Sequence, residues 1–344
     1  MEKVRFGIVG AGNIAPFHIH SIRACKNAEV VAIADTFEAK AKQAGEEFKI
    51  DAYGDAKKMF ARKDIDVVTL CVPSGLHMQL AIEAMEAGKH VIAEKPIEVS
   101  LEKIDRMIET SKKTKRFVSC ILQSRFFDNA KRIKEDIAAG KFGKLILGDM
   151  YNKWYRSPEY FKSAGWRATW ELDGGGALMN QAVHGVDLLL YFMGEADSVN
   201  AYCETLLHST KVEDTAVAIV KFKNGALGVI EGTTSIYPGS ARKLEIQGTK
   251  GTAVLEDYNT LLKYEFEGEP DLSANFNEER VKGGFSDPTA MPKDTHAKQF
   301  AAYIEALLAG KEPPIAAAEA RKSVELILAI YKSAREKREV KLPL

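Results

Sequence analysis

The chain has 344 residues, too many for the usual single hydrophobic core, so about two domains are expected. Its 48 basic side chains balance 48 acidic ones, which excludes the global field that would draw it to nucleic acid or an anionic membrane. No segment approaches the roughly 20 consecutive apolar residues of a membrane helix, and the first residues run straight into a strand instead of a secretory signal, so a cytoplasmic protein is expected.

From Val4 to about Leu122, short β-rich runs alternate with amphipathic helices, the pattern of a parallel sheet covered on both faces. The first strand, Val4 to Val9, opens onto Gly10-Ala11-Gly12-Asn13-Ile14-Ala15, a G-x-G-x-x-A turn at the head of a helix. Gly10 suits the tight turn, Gly12 lets the backbone approach a pyrophosphate, and Asn13 and Ile14 complete the turn. Ala15 stands where only close helix-to-strand packing is required, and Pro16 costs little because first-turn amides have no helical partner. The phosphates would sit on free N–H groups at the positive end of the helix dipole. A second strand, Glu29 to Ala34, ends at Asp35, placed to accept both ribose hydroxyls. Thr36 and Phe37 follow, with no arginine to pair a 2′-phosphate, so NAD is expected rather than NADP.

Further strands are predicted at Val67 to Val72, His90 to Ala93 and Phe117 to Leu122. A helix is predicted from Met78 to Ala87, ended by Gly88 in a left-handed cap. Glu94-Lys95-Pro96 follows the strand ending at Ala93 and so lies at the carboxyl edge of the sheet, where ligands of such folds bind. There Lys95 can hydrogen-bond a substrate hydroxyl or stabilise its alkoxide; the bland alternative is a surface lysine at a turn. His18 and His20 are two apart on a helix, point apart, and have no ligand cluster in view, so metal catalysis is not expected.

After Leu122 long β-rich stretches follow one another: Leu145 to Tyr155, Ser198 to Leu206, Thr215 to Phe222, Leu227 to Ser235, Lys243 to Gln247 and Thr252 to Glu256. An antiparallel α+β domain over 123–344 is expected behind a cofactor domain over 1–122, with Asn224-Gly225 as a hairpin turn. In Thr215 to Phe222 both faces are apolar, Val217 and Ile219 on one and Ala218, Val220 and Phe222 on the other, which calls for helices on one side and another subunit on the other. Gly268 to Asp294 reads as a long polar loop, Asp294 as the N-cap of a helix to about Ala309, and Ala316 to Lys337 as a second helix that, with the first, is a candidate to pack back on the cofactor domain. Cys25, Cys71, Cys120 and Cys203 form no CxxC pair and read as reduced, small core residues.

The segment Gly174-Gly175-Gly176-Ala177-Leu178-Met179-Asn180-Gln181-Ala182-Val183-His184-Gly185-Val186-Asp187 reads as a helix after three glycines. Asn180, His184 and Asp187 then fall at i, i+4 and i+7 along one face, which makes His184 a candidate base. Arg125 lies in Gln123-Ser124-Arg125-Phe126; Trp154-Tyr155-Arg156 and Trp166-Arg167 combine flat rings with guanidinium groups. Rings suit sugar C–H faces and arginine suits a carboxylate or phosphate, although a packed sheet edge has the same composition.

The glycine turn, Val72-Pro73-Ser74-Gly75-Leu76-His77, Glu94-Lys95-Pro96 and the Gly174 to Asp187 segment, in that order, resemble the Gfo/Idh/MocA oxidoreductases over nearly the whole chain. The resemblance implies a Rossmann domain followed by an open-faced, mainly antiparallel sheet domain, dimers or tetramers through that sheet, and oxidation of sugar or cyclitol hydroxyls. It implies Lys95 and His184 as the catalytic pair, with Pro73, His77 and Glu94 on the cofactor side. Many members carry aspartate where this chain has Asn180, and asparagine orients a hydroxyl without taking its proton. Met179-Asn180-Gln181 is similar to the branch acting on nucleotide-linked N-acetylhexosamine uronic acids, for which Arg125, Arg156, Trp166 and Arg167 would bind substrate. The alternatives are an NAD-sensing regulator on the same scaffold and an NAD-dependent glycosidase that oxidises a sugar transiently.

Overall fold

The computed structural model describes residues 3–257, 259–277 and 296–344. The chain divides into two compact units, one of residues 1–123 and 292–321, the other of 124–291 and 322–344.

The first unit holds six strands, β1 (Val4–Val9), β2 (Ala28–Ala34), β3 (Asp51–Tyr53), β4 (Val67–Leu70), β5 (His90–Ala93) and β6 (Val118–Cys120). They form one sheet in the order β3-β2-β1-β4-β5-β6, every pair parallel. Strand order reverses between β1 and β4, and in such sheets the crevice at that reversal receives the ligand. The glycine turn leaves β1 there. Strand β3 has no counterpart in the sequence prediction; its three residues are largely exposed and too few to show a period.

A late segment completes this unit. The helix Ala297–Leu308 contributes Phe300, Tyr303 and Ile304 to the same hydrophobic cluster as Phe6, Ile8, Ile19 and Ile22. Gln299 ties its side chain to the end of β6 and to the second residue beyond it, its Nε2 donating to Cys120 O at 2.7 Å and its Oε1 accepting from Leu122 N at 3.0 Å. The helix takes His296 as its N-cap residue; the expected cap, Asp294, lies outside the described residues.

The second unit contains β7 (Leu145–Lys153), β8 (Ala196–Glu204), β9 (Thr215–Phe222), β10 (Leu227–Thr233), β11 (Lys243–Gly248), β12 (Gly251–Glu256), β13 (Thr260–Phe266) and β14 (Val340–Lys341). The sheet order is β13-β12-β11-β7-β10-β9-β8-β14, antiparallel except for the parallel pair β7 and β10. The Asn224-Gly225 turn joins β9 to β10, with Gly225 at φ 87° and Asn224 Oδ1 accepting from Ala226 N. Strand β13 escapes prediction because Leu262 is an extra residue opposite β12, so the inward side chains run Leu261, Tyr264, Phe266 and lose the period of two.

In β9 the inner residues Ala218, Val220 and Phe222 are buried, whereas Val217 and Ile219 are 44% and 62% exposed. Tyr202 of β8 pairs with Val217 and is 77% exposed, and Leu227 of β10 is 50% exposed. This second apolar face is therefore bare in the single chain. Among the described residues no helix is long and apolar enough to cross a membrane.

Phe300 is fully buried and meets Phe6 and His18 edge-on, with centroids 5.9 and 5.2 Å away. Phe300→Ala is expected to destabilise the first unit by about 3–5 kcal/mol, read as an earlier denaturant midpoint. A midpoint unchanged from the parent would contradict the placement of this helix in the core.

Candidate functional site

The first unit supplies a nucleotide cradle. Gly10 has φ +98°, and a Cβ there would lie 2.4 Å from Cys71 O, so only glycine fits between β1 and β4. At Gly12 a Cβ would meet nothing within 4 Å, which leaves open space above the turn. The helix Ala15–Arg23 begins after Ile14, whose side chain has no acceptor with which to cap the first amides. Asp35 is half-buried at the end of β2; its Oδ2 accepts Ala11 N and its Oδ1 accepts Phe37 N, both at 2.8 Å. Open space over a glycine turn at the head of a helix and an adjacent carboxylate fit a dinucleotide's pyrophosphate and ribose.

Behind Lys95 lies a buried carboxylate. Glu94 Oε1 is 2.7 Å from His18 Nε2 and 3.5 Å from His296 Nε2, and its Oε2 accepts Lys95 N at 3.1 Å. Burial alone would raise this carboxyl, but hydrogen bonds from the two histidines outweigh it and hold the group well below the usual carboxylate range. An ionised Glu94 only accepts, so His18 Nε2 donates to it, and His18 Nδ1, 2.7 Å from Thr69 Oγ1, accepts the threonine proton. Burial lowers the His18 pKa, in keeping with this neutral tautomer.

The expectation that His18 has no ligand-type neighbours is corrected: Glu94 and His296 come from distant elements to join it, with ligand atoms within 4.8 Å of one another. The His18–Glu94 separation is a hydrogen-bond length, shorter than the ~3.3 Å between two ligands of a tetrahedral ion with ~2 Å bonds. Proton sharing therefore accounts for the contact.

His77 is fully buried, its Nδ1 3.1 Å from Pro96 O and Ile97 O and its Nε2 3.1 Å from Val72 O. Direct cofactor contact by His77 is thereby corrected: with no exposed surface, the ring buckles the Pro73 loop to the Lys95-Pro96 loop from behind. Pro73 and Lys95 are half-buried.

The second unit carries the helical segment. Residues Ala177–Ala182 form a π-helical turn that continues as the α-helix Val183–Met193. The even i, i+4, i+7 stripe expected from one α-helix is corrected accordingly, since a π turn is wider. Glu213, missed in the sequence, holds the start of the segment: its carboxylate accepts Gly176 N at 2.9 Å and Leu178 N at 2.8 Å, and its main-chain oxygen accepts Ala177 N at 3.1 Å. Tyr331 donates its hydroxyl to Glu213 at 2.8 Å and accepts Met179 N at 3.3 Å. Four successive amides are thus satisfied before Asn180, the role a helix cap performs. Asp187, 1% exposed, takes Arg125 Nε and Nη2 at 2.7 and 2.6 Å. That bidentate pair corrects the substrate role of Arg125 and removes Asp187 from the polar stripe.

The other named side chains do converge. Asn180 Nδ2 donates to Asp173 Oδ1, Gln181 Nε2 donates to Asn180 Oδ1, and Arg156 Nε donates to Gln181 Oε1 at 3.0 Å. Gln181 Nε2 also donates to Tyr160 Oη at 2.8 Å, and Arg167 Nη1 reaches the same hydroxyl at 2.5 Å. Arg167 lies 4.2 Å from the Tyr160 ring and 4.7 Å from that of half-buried Trp166, and Arg156 lies 4.9 Å from that of Trp154. Tyr160 and Asp173 were not singled out from sequence, although Asp173 directly precedes the glycine run. His184 is half-buried one step further along the helix.

Two family models match: one described as "Oxidoreductase family, NAD-binding Rossmann fold" over residues 4–121, and one described as "GFO/IDH/MocA C-terminal domain" over 130–254. Among solved structures, the WlbA dehydrogenase from Bordetella pertussis, in complex with NADH and UDP-GlcNAcA, is 33% identical, with 99% of each chain covered and a TM-score of 0.88. A myo-inositol 2-dehydrogenase from Thermotoga maritima is 27% identical, covering 98% of each chain. A scyllo-inositol 2-dehydrogenase (NAD(+)) from Bacillus subtilis is 25% identical over 80% of this chain and 83% of its own.

Burial pushes the Glu213 carboxyl up to about 7 against the hydrogen bonds it accepts. A raised folded pKa means that folding takes up a proton, so the contribution is full below the ordinary value of 4.5 and declines, by roughly 3 kcal/mol, as pH rises towards about 7. Glu213→Gln should flatten that part of the stability profile in urea melts between about pH 5 and about pH 7.5. A slope identical to the parent's would rule out this group as its source.

Proposed function

The chain belongs to the Gfo/Idh/MocA oxidoreductases, and on that premise we propose that it oxidises a secondary hydroxyl of a nucleotide-linked N-acetylhexosamine uronic acid, with NAD as the acceptor. The observation that carries the substrate class is the likeness along the entire chain to a dehydrogenase held with NADH and UDP-GlcNAcA. Met179-Asn180-Gln181 and Arg167 beside Trp166 agree with it.

Gly10, Gly12, Asn13 and Ile14 hold the pyrophosphate, and Asp35 holds the adenosine ribose while its charge repels a 2′-phosphate. Bound there, the nicotinamide supplies the hydride acceptor. Pro73 sits on the cofactor side, with His77 and Glu94 fixing the loops behind it. Lys95 hydrogen-bonds the carbinol oxygen and stabilises its developing negative charge, Asn180 orients the hydroxyl, and His184 takes the hydroxyl proton. Arg167 serves the acidic part of the substrate and the Trp166 face its sugar ring, whereas Arg156, 3% exposed and bonded to Gln181 and to Tyr155 O, is corrected from a substrate contact to a support for Gln181.

A second copy of the chain covers the bare face around Val217 and Ile219 in a homodimer or homotetramer; a monomeric mass by light scattering would contradict this. The four cysteines, none of them in a disulfide, support placement in the reducing cytoplasm, which fractionation of the source cells would test.

UDP-sugar uronates, free aldoses, glycosides and inositols, each offered with NAD⁺ or NADP⁺, should give NADH chiefly with the first group. Activity confined to neutral cyclitols would overturn the acidic substrate, NAD binding without turnover would indicate a sensor, and sugar release without net NADH a glycosidase. His184→Asn should lower turnover by about 10²-fold or more with NAD affinity little changed, and near-parental turnover would remove His184 as the base.

A further inference from the structure

The side chains Asp173, Asn180, Gln181 and Arg156 form a chain whose two ends have opposite and fixed chemistry. An ionised carboxylate only accepts hydrogen bonds and a guanidinium only donates them. Between these ends stand two amides, each able to turn over and exchange its donor and acceptor edges. Asp173 is 3% exposed, and with Oδ2 accepting Ala168 N at 2.8 Å its Oδ1 meets Asn180. Only the NH₂ of Asn180 can face that oxygen, so its carbonyl faces Gln181 Nε2. At the other end Arg156 Nε fixes the Gln181 carbonyl, which turns the Gln181 NH₂ to Asn180 and Tyr160. Both amides are therefore locked in one sense.

We propose that Asp173 is a positioning residue for Asn180: it fixes the amide's orientation, so that a substrate hydroxyl bound at Asn180 meets a single donor–acceptor pattern. The inference rests on the dehydrogenase reading above. It also accounts for an asparagine beside a buried carboxylate, because a second acid at position 180 would set two acceptor-only groups against each other.

An asparagine at 173 can donate as well as accept, so Asp173→Asn removes the lock while keeping the side-chain volume. That variant should lose about tenfold in kcat with KM for NAD unchanged. Asp173→Glu keeps an acceptor-only group at this place, so its kcat should lie above that of Asp173→Asn, again with KM for NAD unchanged. A parental kcat in Asp173→Asn, or a folded Asp173→Glu no better than Asp173→Asn, overturns the inference. If Asp173→Asn does not fold, Asp173→Glu decides alone, a kcat within about tenfold of the parent supporting the inference and a larger loss overturning it, and failure of both to fold assigns Asp173 a purely structural role. A parent protein that forms no NADH from any sugar overturns the dehydrogenase reading itself, a result separable from these.

Discussion

A buried carboxylate must be surrounded by donors, and in this protein such carboxylates, gathering side-chain and main-chain donors, fasten the segments to which the chemistry is assigned above. Glu94 is the clearest case. Its charge is stabilised by His18 from the helix after the glycine turn and by His296 before the helix Ala297–Leu308, and its second oxygen holds the amide of Lys95. A single anion thereby joins the nucleotide cradle, the segment that returns to complete the first unit, and the loop bearing Lys95. Removing it would leave two buried imidazoles and one amide without their acceptor, a larger loss than one hydrogen bond.

The same device recurs. Asp35 accepts Ala11 N and Phe37 N, Glu98 accepts Met78 N and Val99 N, and Asp214 accepts Leu206 N, Leu207 N and His208 N. Glu213 gathers the amides that open the His184 segment, and Asp187, five residues before Phe192, is held by Arg125. Loops that would otherwise sample many conformations are tied at their amides by these carboxylates. Preorganisation of this kind lowers what binding must supply, and it suits a site whose task is to hold a hydroxyl near a hydride acceptor.

How much of this could be read in advance follows from the range of each interaction. The glycine turn, Asp35 and the edge position of Lys95 are properties of one βαβ unit and of strand ends, so local spacing reveals them. The outward apolar face of β9 is equally plain in the alternation of Val217 and Ile219 with Ala218 and Val220. The partners of Glu94 and Glu213 lie elsewhere in the chain, His18 at a separation of 76 residues and Tyr331 at 118, and no local period marks them. Arg125 shows the converse error: its residue type suits an anionic substrate, but the fold commits it to Asp187. The helical stripe was misjudged because a π turn cannot be told from an α turn by the spacing of polar residues.

Conversion of the parent and of Lys95→Met with UDP-GlcNAcA and NAD⁺, followed by NADH formation alongside NAD binding, tests the account most directly. The account predicts NADH from the parent, and in the variant a turnover lower by about 10²-fold or more with NAD bound as before. Parental turnover in Lys95→Met would contradict it.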